Sequence, residues 1–184
     1  MIAGCMRVLA LALSVVGLTG SAAMAEDLVT QNVIAPIVAV QGDRGPVTNL
    51  PMPRYVSLKA NEANVRRGPS LSHRIDWVFQ RRDMPLRVVG EYGHWRRVVD
   101  REGMGGWVHY SLLSGNRTVI IDEDLLPLRA RPTADATEVA MLERGVIADL
   151  GECSVDWCRL RAGGYRGWAP KAALFGVAPG EVRE

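Results

Sequence analysis

Gly90-Glu91-Tyr92-Gly93-His94-Trp95-Arg96-Arg97-Val98 runs on to Gly106-Trp107-Val108-His109 and closes at Leu113. The chain then repeats the statement. Gly151-Glu152-Cys153 leads through Trp157-Cys158-Arg159-Leu160 to Gly167-Trp168-Ala169 and closes at Leu174. The paired tryptophans lie 62 and 61 residues apart, and the closing leucines 61. Upstream, Val65-Arg66-Arg67-Gly68-Pro69-Ser70 answers Leu128-Arg129-Ala130-Arg131-Pro132-Thr133 at an offset of 63. One period held over four landmarks is an internal duplication. Within each copy the pattern is short strands and glycine turns, as in Leu86-Arg87-Val88-Val89, Gly93-His94 and Arg101-Glu102-Gly103. Short strands at close, regular spacing predict an all-β fold, here two small domains in tandem. Ala134–Glu143 fits a helix or, through Val139-Ala140-Met141-Leu142, a strand. Ser111-Leu112-Leu113 and Lys171-Ala172-Ala173-Leu174 are expected as single helical turns.

Strand alternation gives the core. Cys158, Leu160 and Ala162 share one face, and Trp157, Arg159 and Arg161 the other. In the first copy Val98 points inward, and Trp95 and Arg97 outward. Trp107 is expected in the core, while core and surface both remain open for Trp77 and Trp95. Aligning the copies sets Tyr92 against Cys153 and Arg96 against Cys158.

The N-terminus reads as an export signal. Arg7 precedes an apolar run from Val8 to Leu18, and Ala23-Met24-Ala25 forms an A-x-A ending. Residues 1–25 are therefore expected to be a cleaved signal peptide, with no stable membrane span left afterwards. The expected location is the periplasm or the medium. Residues 26–53, broken by Pro36, Pro46, Pro51 and Pro53, read as a flexible leader. The first domain is expected over 54–117, the second over 118–178, and a tail over 179–184. Cleavage leaves Cys153 and Cys158 alone, and an even pair in an exported chain predicts a disulfide across a hairpin. Half of a zinc site would need a second Cys/His pair nearby, and none lies there.

The whole chain carries a formal net charge of +2, which hides an asymmetry. Residues 54–117 hold twelve basic and six acidic side chains, and residues 118–184 eight and eleven. Eleven of the twelve are arginine, the side chain suited to bidentate grip on carboxylates and to stacking on aromatics. Such a face also attracts the acidic neighbouring repeat. Export removes nucleic acid as a partner. A papain-like peptidase needs a cysteine followed by a histidine, and His73, His94 and His109 all precede both cysteines of the mature chain. No zincin, nucleophile-elbow or phosphate-loop motif is present. No catalytic residue, cofactor or metal is expected.

The sequence resembles the bacterial SH3-like family. Asn64-Val65-Arg66-Arg67-Gly68-Pro69-Ser70, Trp95 with Val98, Gly106-Trp107-Val108 and Leu113 follow its repeat. The match covers 60–114. The copy over 120–175 is degenerate and lacks the motif's Asn and Gly. The resemblance implies two small five-to-six-stranded β-barrels, and a groove between the loop Arg67–Asp76 and the tryptophan strand. Family members bind peptidoglycan peptides or other proteins. The residues expected to line a peptide groove are Trp77, Tyr92 and Trp95, flanked by Arg67, Arg74 and Arg97. The expected partner is peptidoglycan peptide or an envelope protein. The alternative is an assembly or regulatory subunit that docks an envelope enzyme or anionic polymer through its arginine face.

Overall fold

The computed structural model describes residues 44–184. The expected signal peptide and the expected leader up to residue 43 lie outside the described residues. The first repeat contains β1 (Arg54–Leu58), β2 (Ala63–Arg66), β3 (Ile75–Phe79), β4 (Pro85–Tyr92), β5 (Trp95–Val99), β6 (Gly105–His109) and β7 (Leu113–Ser114). The second contains β8 (Thr118–Ile121), β9 (Leu125–Arg129), β10 (Glu138–Glu143), β11 (Ile147–Cys153), β12 (Trp157–Ala162), β13 (Tyr165–Pro170) and β14 (Leu174–Phe175). Each set forms one antiparallel sheet. The strand orders, β3-β2-β6-β5-β4-β1-β7 and β10-β9-β13-β12-β11-β8-β14, correspond strand for strand. The duplication in the sequence is thus a duplication of topology. Ala134–Glu143 resolves as a strand over Glu138–Glu143. The helical turns are 3-10 turns at Tyr110–Leu112 and Lys171–Ala173.

Alternation explains why these sheets curl. Leu58, Val65, Phe79, Leu86, Val88, Val98 and Val108 come from six strands and pack into one buried cluster. Residues at both margins of a sheet share one core only if the sheet wraps around it. Val119, Leu128, Leu142, Leu150, Leu160 and Ala169 do the same in the second repeat. Burying each of these Val, Leu and Phe side chains stabilises the fold by about 1.5–3 kcal/mol.

The glycine of each Gly-Trp pair sits where the sheet closes. A Cβ on Gly106 would lie 2.7 Å from the Arg66 carbonyl oxygen, and one on Gly167 would lie 3.0 Å from that of Arg129. At those points β2 meets β6 through Arg66 and Trp107, and β9 meets β13 through Arg129 and Trp168. Only a residue without a side chain lets the two backbones approach so closely.

Cys153 and Cys158 lie opposite each other on β11 and β12 and are bonded. The expected Tyr92–Arg96 counterpart is corrected by one residue. The β4–β5 register sets Glu91 against Arg96 and Tyr92 against Trp95. Sequence offsets alone could not place the β-bulge between Val88 and Gly90. The first barrel therefore has a buried acid and base where the second has a disulfide.

The described part of the expected flexible leader and the expected tail are both folded against the domains. Residues 44–51 form a turn closed by Gly45 N–H to the Leu50 carbonyl (2.8 Å) and by an Arg44–Pro51 bridge. The Glu91 carboxylate holds this turn. Oε2 accepts the Val47 and Thr48 amides at 3.1 and 2.9 Å, and Oε1 accepts the Thr48 hydroxyl at 2.7 Å. The 179–184 tail pairs with the hairpin through Cys153 and Arg183. Buried Lys171 donates to the carbonyls of Ser154, Val155, Pro179 and Glu181. A tail that satisfies a buried ammonium is part of the domain.

The sheets part between Ser114 and Thr118, and contacts cross that short join. The Thr118 hydroxyl donates to the Asp83 carbonyl at 2.6 Å, and Tyr55 meets Phe175 edge-on at 5.4 Å. Arg101 lies 3.6 Å from Asp122, one link between the basic and acidic repeats.

Candidate functional site

The outer face of β5 and β6 carries the predicted chemistry. Arg96 and Val98 point into the barrel, so Trp95 and Arg97 point out; Val108 points in, so Trp107 and His109 point out. Cross-strand pairing sets Arg97 beside Trp107, and Trp95 beside His109. Trp107 is thus a half-buried residue of the outer face. Its expected place in the core is corrected by the parity of β6, which gives the core to Val108.

At one end of this face a groove of about 400 Å³ is lined by Arg66, Arg67, Asp76, Arg97, Gly105 and Trp107, among others. Its geometry is set by a tight loop from Arg67 to Arg74, closed by the Arg67 amide on the Arg74 carbonyl at 3.0 Å. Arg66 Nη1 donates to the carbonyls of Leu71 (2.9 Å) and His73 (2.7 Å) inside that loop. Arg67 and Arg74 converge on Asp76: Arg67 Nη2 is 3.2 Å and Arg74 Nη2 2.8 Å from Oδ1. Hydrogen bonds from Arg74 first, then Arg67, hold the Asp76 carboxyl below its ordinary range. Arg97 has no ion-pair partner among the described residues. Its side chain passes over Gly90, where an added Cβ would come within 3.3 Å of it. Three arginines and one aspartate thus line the groove with Trp107, and Arg74 joins Arg67 on that aspartate.

On the matching face of the second barrel two arginines are paired, while Arg166 has no ion-pair partner among the described residues. Arg159, which corresponds to Arg97, is paired with Glu152 at 2.7 Å, and Arg161 with Asp149 at 3.2 Å.

At the other end of the first barrel's face, Trp95 meets the His109 ring edge-on at 5.5 Å. His109 and His94 each lie within 5.5 Å of the Tyr110 ring. Tyr92 stands across from Trp95 and is exposed. The six predicted residues therefore divide. Arg67 and Arg97 line the groove, and Arg74 reaches it through Asp76. Trp95 and Tyr92 form an aromatic extension along the same sheet. Trp77 is not brought there: it lies on β3 opposite Val65 and packs against the core cluster. Trp107, Arg66 and the His94–His109–Tyr110 cluster were missed, although alternation along β6 with Val108 inward would have placed Trp107 and His109 on this face.

Residues 59–115 and 122–176 each match the family profile described as Bacterial SH3 domain. The chain belongs to the bacterial SH3 domain family. Each matched segment covers six of the seven strands of one sheet, β2–β7 and β9–β14, including the copy whose first motif is degenerate. No curated protein matches the chain.

Among solved structures it is similar to NlpC2 and NlpC1 from Trichomonas vaginalis and to an NlpC/P60 family protein from Bacillus cereus. Identity to NlpC2 is 14%, over 67% of this chain and 48% of that one, with a TM-score of 0.32. For NlpC1 the values are 14%, 71%, 48% and 0.33. For the Bacillus protein they are 13%, 66%, 55% and 0.30. The chain spans about half the length of these structures.

No helix among the described residues is long and apolar enough to cross a membrane.

Proposed function

We propose that this protein is a non-catalytic envelope component whose first SH3 domain binds carboxylate-bearing peptide, foremost the stem peptides of peptidoglycan. The observation that carries this reading is Arg97, unpaired beside Trp107, with Arg67 and Arg74 sharing a single aspartate. An aromatic platform with guanidinium groups at its rim provides stacking and bidentate hydrogen bonds to carboxylates. Family membership and the Cys153–Cys158 disulfide support a place in the cell envelope or outside the cell, since disulfides persist in oxidising compartments. The second domain acts as a structural partner, because Arg159, the counterpart of Arg97, is already paired with Glu152.

Co-sedimentation of the mature protein with purified peptidoglycan tests this. Binding is expected at low salt and, reduced, at about 0.15 M, where screening reaches about 8 Å. Trp107→Ala and Arg97→Ala should each weaken it by about tenfold while circular dichroism stays unchanged. Binding that ignores both substitutions overturns the assignment of the groove.

A second reading is docking of an envelope enzyme or anionic polymer by the arginines alone. The wide exposure of the Arg67 and Arg74 side chains, 64% and 68%, favours it. Binding that vanishes with salt and survives Trp107→Ala would select it.

A further inference from the structure

A second cavity, of about 290 Å³, opens on the first domain and shares no lining residue with the arginine groove. Leu50, Val56 and Leu113 give it an apolar wall, and Arg54, Arg96 and Tyr110 its polar one. Among the described residues its charge is unbalanced. Arg54 and Arg96, with side chains 17% and 10% exposed, share one fully buried carboxylate, Glu91. Arg54 Nη2 donates to Glu91 Oε1 at 2.6 Å. Arg54 Nη1 is enclosed and has no hydrogen-bond partner among the described residues. Arg96 Nη1 donates to the carbonyls of Gly93 and Trp95 at 2.8 and 2.9 Å. Its Nε stands 3.6 Å from Glu91, beyond hydrogen-bond length. Two cations and one anion leave a surplus of one positive charge. An unbalanced buried charge is costly unless an opposite charge arrives.

We propose that this cavity is a binding site for a small organic monocarboxylate, with its carboxylate toward Arg54 and Arg96 and its alkyl part on Leu50, Val56 and Leu113. One surplus charge matches a carboxylate. A phosphate dianion would leave the desolvated site negative and would gain nothing from the apolar wall. The volume lies at the lower limit of small-ligand pockets. The site is independent of the peptide groove, and neither proposal needs the other.

The test is a titration of the ¹⁵N-labelled mature protein with N-acetyl-alanine, followed by NMR at the Arg54 and Arg96 Nε–Hε signals and the Ser114 and Gly115 amides. Saturable shifts are expected with the acid and none with the neutral N-acetyl-alaninamide. Inorganic phosphate should compete poorly. Gly115→Phe should weaken binding at least tenfold without altering the fold, because a Cβ at Gly115 meets nothing within 4 Å. Leu50→Trp, at an exposed lining position, provides a second closure. Arg97→Ala should leave acid binding intact, which separates this site from the groove. Equal shifts with the amide, tighter binding of phosphate, no saturable shift, or binding that survives both closures would overturn the proposal.

Discussion

Glu91 shows how one residue can carry several layers of structure. Burial alone would raise its pKa, but the Thr48 hydroxyl and amide, Arg54 and the Val47 amide outweigh burial and bring it down to about 2. A carboxyl whose folded pKa is depressed contributes stability that is fully present above the unfolded value of 4.5. That stability is lost as the pH falls from there toward 2. The contribution is of order 3 kcal/mol. Urea unfolding should therefore show a midpoint that drops between pH 6 and pH 3. Glu91→Gln should start lower at pH 6 and change less over the same window; an equal pH slope in both proteins would remove Glu91 from the account. Gly45 belongs to the same device, since a Cβ there would overlap the Glu91 carboxylate.

At the scale of the element, the Gly-Trp strands β6 and β13 do two jobs. Their glycines let a second strand cross, and their tryptophans stand on the outer face. Gly106→Ala should destabilise the first domain by about 1–3 kcal/mol, as expected when an atom is forced against a fixed backbone. Gly115→Ala, in open space, should be nearly neutral. Chemical denaturation of the two variants checks both. The β11–β12 hairpin uses covalent chemistry at the position where β4–β5 uses Glu91 and Arg96. Its sequence pattern was readable because an isolated cysteine pair has few partners. The acid–base pair was misplaced by one residue because a bulge shifts register without leaving a mark in composition.

At the scale of the whole molecule, two domains of about 60 residues, each marginal by core burial alone, lean on one another. The Thr118–Asp83 hydrogen bond and the Tyr55–Phe175 contact span a join of three residues, 115–117. Calorimetry should show one unfolding transition for the mature chain. Phe175→Ala should split it or lower it; two transitions already present in the unmodified protein would show that the domains are independent. The charge asymmetry takes its meaning at this scale too. In the second domain Arg159 and Arg161 are paired across the β11–β12 hairpin, and the surplus positive charge lies on the first.

The duplication, the all-β architecture, the inward and outward faces of β5 and β12 and the disulfide were legible in the sequence alone. These rest on periodicity along one strand or on residues a few positions apart. Tertiary structure decided that residues 44–51 are bound to the barrel, that Trp77 serves the core while Trp107 faces out, and that Arg54 and Arg96 share one carboxylate. The reason is separation along the chain. The Thr48–Glu91 bond joins residues 43 apart, and no local period encodes which distant side chains a closed sheet will bring to the same place.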